Sequence, residues 1–226
     1  MKSFLGFVLI SILASAVSLY AQETRLEILA GPNFSTFDIS QNDGFKSEMG
    51  AGTHIGVNLM YEPAPDINIL IGSAFSEVNF DRRYKSINLG NLYDADLPDE
   101  IQLSYSFKMI ELPVGLRYTF LKNVIEIGMG ANIRPAFISG YKGEWYSQRV
   151  SENKYIQFEI ELTDEIKEFD LFIEPGIDLR YALDANTSIL GGIQYAFDVL
   201  GLYESVNETR RLHRVELSVG LAISLF

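Results

Sequence analysis

The chain has 226 residues, 47% of them apolar, and no cysteine. This suits one folded domain and excludes a disordered chain, a disulfide framework, a thiolate site and a lipid anchor on cysteine. A formal charge of −12 argues against a nucleic-acid partner, because backbone phosphates are met by basic surfaces. In chain order, residues 1–21 read as a cleaved secretory signal peptide. Lys2 supplies the positive start, Phe4 to Leu13 an apolar stretch, and Ala14 to Ala21 small residues before Gln22, with cleavage after Ala21. Its removal takes away one lysine and no acid, so the charge goes from −12 to −13. In residues 22–226 no uncharged run is longer than 13 residues, the length of Met49 to Tyr61. A spanning helix needs ~20.

The mature domain is a series of period-2 segments: 24–37, 50–61, 67–80, 102–120, 124–140, 169–182, 188–199 and 211–226. The breaks after the second, fourth and sixth are short; those after the first, third, fifth and seventh are longer. Such alternation predicts an all-β, eight-stranded antiparallel up-and-down transmembrane barrel. Its turns and both termini are periplasmic and its long loops extracellular. A soluble secreted barrel is the competing fold. A lipocalin, however, has Gly-x-Trp in its first strand, and here only Gly143-Glu144-Trp145, in mid-chain, fits.

The two faces differ in chemistry. Ile110, Leu112, Val114, Leu116, Tyr118 and Phe120 share one side of the fourth segment, with Glu111, Pro113, Gly115, Arg117 and Thr119 on the other. The fifth, sixth and eighth segments repeat the pattern. A spanning strand needs ~9–11 residues, which these segments supply. Tyr61, Tyr118, Phe120, Tyr181 and Phe226 at one end, and Phe75, Phe137, Tyr195 and Phe197 at the other, read as two interfacial girdles. With apolar faces outward to lipid, the inward positions hold seven acids (Glu27, Glu111, Glu126, Glu174, Asp178, Asp198, Glu216) and five arginines (Arg25, Arg117, Arg134, Arg180, Arg214). An eight-stranded barrel is barely wider than its own side chains, so this set reads as a salt-bridge network plugging the lumen. A charged ion path is the alternative. Pro113, unable to donate to a ladder, predicts a bulge in mid-strand, or a site.

The loops carry weaker signals. Asp94, Asp96, Asp99 and Glu100 form an acidic loop without EF-hand spacing, read as solvated rather than as a Ca²⁺ site. In the loop of about 141–168, Ile156, Phe158, Ile160 and Leu162 alternate with Tyr155, Gln157, Glu159 and Glu161, predicting a β extension above the membrane. There Trp145, Tyr146 and Tyr155 make a contact patch for an extracellular protein or glycan, or else cover the rim. His54 falls inward and reads as a packed lumen residue; His213 falls near the outer rim. Ser205, His213 and Glu204 or Glu208 lie near one another in sequence, but Gly-x-Ser-x-Gly is absent and no spacing supports catalysis. No enzyme, metal or cofactor is expected.

The run Phe107-Lys108-Met109-Ile110-Glu111-Leu112-Pro113-Val114-Gly115-Leu116-Arg117-Tyr118 resembles the Tyr-Leu-Glu-Ile-Pro-Leu-like strand of the PorT-like family of small outer-membrane barrels, often labelled porin family. Gly31-Pro32-Asn33-Phe34-Ser35 is similar to that family's Gly-x-Asn-x-Ser first strand, and the leader followed by Gln22 and the terminal Phe226 are similar too. Phe226 departs in lying in phase with Ser224 and Gly220, which leaves its orientation open. The resemblance implies a multi-pass outer-membrane location of Bacteroidota type and includes a role in type IX protein secretion. The expected partners are outer-membrane lipid and lipopolysaccharide and the barrel-insertion machinery. The expected form is a monomer with a structural, adhesive or secretion-accessory role, the alternative a narrow passive pore, and more remotely an outer-membrane lipid enzyme.

Overall fold

The computed structural model describes residues 23–37, 45–85, 100–122, 124–149, 154–160, 167–201, 203–205 and 208–225. The leader, Phe226 and the acids Asp94, Asp96 and Asp99 lie outside them. Every described element is a strand: β1 (Glu23–Phe37), β2 (Phe45–Ala64), β3 (Ile67–Lys85), β4 (Glu100–Glu111), β5 (Val114–Lys122), β6 (Ile125–Arg149), β7 (Lys154–Ile160), β8 (Phe169–Ala182), β9 (Thr187–Asp198), β10 (Tyr203–Ser205), β11 (Glu208–Arg210) and β12 (Leu212–Ser224).

Each strand runs antiparallel to its neighbours. β4 and β5 both pair with β3 on one side and β6 on the other, forming one stave of the wall. β1 pairs with β12 from Arg25↔Ser224 to Phe37↔Leu212 and closes the ring. The molecule is thus the eight-staved antiparallel barrel that the alternation predicts. Closure leaves none of its staves as an edge. Short turns join β2 to β3 and β8 to β9 at one end, the turn end; the opposite rim is the loop end.

Several strands outrun their predicted spans. β2 starts at Phe45 rather than 50, β3 continues to Lys85 rather than 80, and β6 continues to Arg149 rather than 140. The period of two persists there while its sense inverts. Along β3, Ile67 and Phe75 face out, yet nearer the loop end Val78 and Phe80 are buried and the outward neighbours are Glu77, Asn79 and Asp81. A segment traced by its apolar face is cut short where that face changes sides.

Pro113 makes no bulge, contrary to its sequence reading. The register with β3 is unbroken from Ala74↔Glu111 to Ile71↔Val114, and that with β6 from Glu111↔Ala136 to Val114↔Ile133. Pro113 lacks the N–H but keeps its carbonyl, which accepts from Gly72 N at 2.8 Å; Pro135 on β6 likewise accepts from Leu112 N at 2.9 Å. Each proline forfeits one donor and holds its place through its acceptor. Register shifts lie instead between Lys108 and Met109, between Thr119 and Leu121, between Met49 and Thr53, and between Tyr61 and Ala64.

The Met49–Thr53 irregularity gives Gly-x-Asn-x-Ser a structural role. Asn33 on β1 donates Nδ2 to Glu77 O on β3 at 3.0 Å, and Ser35 donates Oγ to Asn79 O at 2.5 Å, both across the intervening β2. The residues they cross are Gly52 and Gly50, the register partners of Asn33 and Ser35. A Cβ on Gly52 would stand 1.9 Å from Glu77 O, and one on Gly50 2.0 Å from Asn79 O. The glycines open the space and the side chains tie the loosened ladder.

Candidate functional site

The lumen follows from the alternation: inward positions converge on the axis, and their charges must pair because little water reaches them. Near the turn end, Arg25 lies 3.6 Å from Glu62, and Arg180 pairs with Glu126. One level further in, Arg117 bridges Glu27 (Nη1–Oε1, 3.2 Å) and Asp178 (Nε–Oδ1, 2.8 Å).

Towards the loop end a second layer is almost wholly buried. Arg134 reaches Glu111 at 3.0 Å, Glu174 at 2.6 Å and Glu216 at 2.8 Å. Arg214 reaches Glu111 at 2.7 Å and Glu216 at 2.6 Å. Glu111, Glu174, Glu216 and Arg214 are all 0% exposed. Ser76 donates to Glu111 at 3.0 Å and Asn132 to Glu174 at 2.9 Å. The planar guanidinium suits such a hub, since its fork serves several carboxylates in one plane. Between the layers is a polar cavity of about 30 Å³, bordered by His54, Asn58, Asn132, Gln194 and Ser218. That is room for roughly two waters.

Above the second layer the lumen turns apolar. The Arg214 guanidinium sits 5.2 Å from the centre of the Phe172 ring. Val78, Phe80, Phe107, Met109, Ala136, Phe172, Ala196 and Leu212 form one buried cluster, with Phe80 stacked on Phe107 and Tyr105 at ring separations of 5.6 and 4.8 Å. Sequence reading missed this stopper, whose signal is the inversion of the alternation beyond Phe75.

Eleven of the twelve candidate lumen charges thus belong to these two layers. Asp198 stands at the loop end of β9. It faces Asp170 and accepts from Gly201 N at 2.5 Å and Leu212 N at 3.3 Å, fastening the chain as it leaves β9. Gly201 turns there with φ 79°, which disfavours a side chain. Two inward carboxylates were missed, Asp170 and Glu62. Glu62 is in phase with Asn58 and Met60, and its place in a Pro-rich turn hid that.

The outer wall inverts this chemistry. Exposed apolar side chains come from every stave, among them Ile28, Ile55, Ile67, Leu116 (61%), Ile133 (56%), Ile177, Ile193 and Val219 (66%). Tyr118, Phe120 and Tyr181 are exposed towards the turn end, and Phe75, Phe137, Phe169 and Tyr195 towards the loop end. Tyr61 is half-buried.

At the rim the candidate residues scatter. His54 is buried and inward. His213 alternates with buried Leu212 and Arg214, so it faces outward; it hydrogen-bonds Tyr195 Oη through Nδ1 at 2.8 Å and stacks on that ring. Ser205 pairs in register with Glu208, and Glu204 with Thr209, in the β10–β11 hairpin. Trp145 is the register partner of Phe158, Tyr146 of Gln157, and Gln148 of Tyr155. The side chains of Ser205, Glu204, Glu208, Trp145, Tyr146 and Tyr155 lie outside the described residues. In the β8–β9 turn, the Asp184 carboxylate accepts from the backbone N–H of Asn186 and Thr187, each at 2.8 Å, which holds its pKa below the usual Asp value.

No protein-family model matches the chain, and no curated protein matches it. Among solved structures it is similar to a major outer membrane protein from Thermus thermophilus, with 15% identity over 89% of this chain and 99% of that one and a TM-score of 0.49. It is also similar to Neisserial surface protein A, with 12% identity over 88% and 96% and a TM-score of 0.47. A third is the N-terminal β-barrel domain of Pseudomonas aeruginosa OprF, with 9% identity over 91% and 99% and a TM-score of 0.43.

Proposed function

We propose that the chain is an integral, multi-pass outer-membrane protein that carries no ions and serves the cell surface as a structural or adhesive element. The observation that supports this is the inside-out distribution of polarity, with apolar side chains exposed around the whole wall and charges paired in the lumen. An apolar surface of that extent is unstable in water. Along β12 it runs from Leu217 to Leu225, alternating with Ser218, Gly220, Ala222 and Ser224. A tilted run of this kind suits an apolar band ~25 Å tall.

Under this reading residues 1–21 direct export and are removed. The insertion machinery recognises the C-terminal strand, with Phe226 as its tag. Outer-membrane lipid and lipopolysaccharide surround the belt, and the closed ring works as a monomer. The PorT-like segment Phe107–Tyr118 makes an accessory role in protein secretion the finer form of the proposal. Two stoppers in series, an ion-pair plug and an apolar cap, oppose conduction. A narrow passive pore is the second reading, favoured by the polar cavity between the ion-pair layers. An enzymatic role is not part of the proposal.

Single-channel recording on the mature protein in planar bilayers tests this. The expected outcome is no discrete steps while the same preparation keeps heat-modifiable migration on gels. Reproducible steps from protein free of contaminating porins would replace the plug with the pore.

A further inference from the structure

The connection from β9 to β12, residues 199–211, leaves and rejoins the barrel at one carboxylate. Asp198 accepts from Gly201 N near the start of this connection at 2.5 Å and from Leu212 N just after its end at 3.3 Å. Val199 N donates to Leu171 O at 2.8 Å, and Lys167 Nζ donates to Leu200 O at 3.1 Å. The β10–β11 hairpin is carried between these ties.

Asp198 is itself held by a second acid. It is the register partner of Phe172 on β8, and Asp170 stands two residues away from Phe172 on the same inward face. The two carboxyl groups face each other within hydrogen-bond reach, with Asp170 0% and Asp198 1% exposed. Asp170 Oδ1 accepts from Leu171 N at 2.7 Å, while its buried Oδ2 has no amide, hydroxyl or cationic donor. The elements packed around the pair supply no ion pair to it. Ala136 on β6, the register partner of Asp170, is uncharged, and so is Leu212 on β12. Arg214, two residues further along β12, turns to Glu111, Glu216 and the Phe172 ring. Lys167, ahead of β8, acts on Asp170 only as a minor influence while its ammonium bonds Leu200 O. Two ionised carboxylates in contact, out of water and without a paired cation, repel at a cost that one shared proton removes.

We infer that Asp170 and Asp198 share a single proton, and that this proton clamps the β9–β12 connection to the barrel. When it leaves, the pair separates, Gly201 and Leu212 lose their common acceptor, and the hairpin is freed. Opening hydrates both carboxylates and releases one proton to water. The closed state thus binds one proton more than the open state above the ordinary Asp range, so closure is favoured less as pH rises. The device is a latch that loosens in alkaline surroundings.

The test reads amide hydrogen exchange at Gly201 and Leu212 in the refolded mature protein, corrected for the intrinsic pH dependence of exchange. Between about pH 6 and 8, protection at both amides is expected to fall about tenfold per pH unit, the mark of one proton lost on opening. In Asp170→Asn the side-chain amide donates to Asp198 in place of the shared proton, so the clamp should stay shut and the slope vanish. Infrared spectra at neutral pH should show a carboxylic-acid C=O stretch in the native chain that Asp170→Asn lacks. Should the variant fail to fold, the native slope still decides. Protection independent of pH in the native chain, an unchanged slope in the variant, or no difference in the carboxylic-acid band would each overturn the proposal. Protection raised by calcium chloride, with no acid band in the native chain, would put a metal ion between the carboxylates instead.

Discussion

Arg134 on β6 holds both carboxylate oxygens of Glu216 on β12, at 2.8 and 3.0 Å, across the lumen and 82 residues apart in sequence. Removing one member of a buried pair leaves the other charged and unsolvated, which costs about 3–5 kcal/mol. Arg134→Ala leaves Glu174 without an arginine and Glu111 and Glu216 with Arg214 alone, so it is expected to lower the stability of refolded protein in urea by about that amount. Glu216→Gln should cost nearly as much, because Glu216 serves both Arg134 and Arg214. Glu174→Gln should cost clearly less, within about 1–2 kcal/mol. The layer holds three glutamates and two arginines, so this change removes the surplus negative charge, and a Gln amide can still bond there. If Glu174→Gln proves as damaging as Glu216→Gln, the charge balance of the layer is not what matters.

How much of this lumen was legible follows from what a period of two encodes. It fixes the side of the wall on which a residue stands, so Glu27, Glu111, Arg134, Glu174 and Glu216 are placed inward by counting alone. It does not encode height along the axis, because stagger between strands depends on turns and bulges distant in sequence. Asp198 was therefore grouped with arginines that lie at another level, and its neighbour Asp170 was overlooked. The same limit applies at Pro113. A missing N–H is visible in the sequence, but whether the ladder slips depends on the carbonyl partner Gly72 supplied by another strand. The apolar stopper was hidden because an inverted alternation resembles the end of a strand.

The Gly-x-Asn-x-Ser segment makes a prediction about packing. A methyl group on Gly52 would collide with Glu77 O and stand 2.6 Å from Asn33 Oδ1. Backbone cannot yield cheaply, so Gly52→Ala should destabilise the barrel by about 1–3 kcal/mol or more. Asn33→Ala leaves a backbone acceptor without its donor and should cost about 1–3 kcal/mol. Gly140→Ala is the control, as a Cβ there meets nothing within 4 Å. Denaturant titrations of the three variants check this ordering. A neutral Gly52→Ala would mean the close approach of β1 and β3 across β2 is not required.

The belt predicts a dependence on depth that a soluble barrel would not have. Val219, 66% exposed, sits near the middle of the apolar run on β12. On a water-facing surface Val219→Arg would be close to neutral. Facing acyl chains near the midplane, it should cost about 2–4 kcal/mol in refolding into vesicles. Leu225→Arg, at the turn end of the same run, should cost about 0–1 kcal/mol. Equal and negligible effects at both positions would place this wall in water.

The β8–β9 turn predicts a local acid-sensitive site. Asp184 is fully exposed, and its carboxylate is held by two backbone N–H groups only in the folded turn. Those bonds favour the charged form and lower its pKa in the folded state, so their contribution is present above the ordinary Asp value of 3.8 and is lost as pH falls through the lower folded value. The amide resonances of Asn186 and Thr187 in detergent-solubilised protein should titrate together, with a midpoint below 3.8, and Asp184→Asn should abolish the transition. A midpoint at or above the ordinary value would mean that the two amides do not bind the carboxylate in solution.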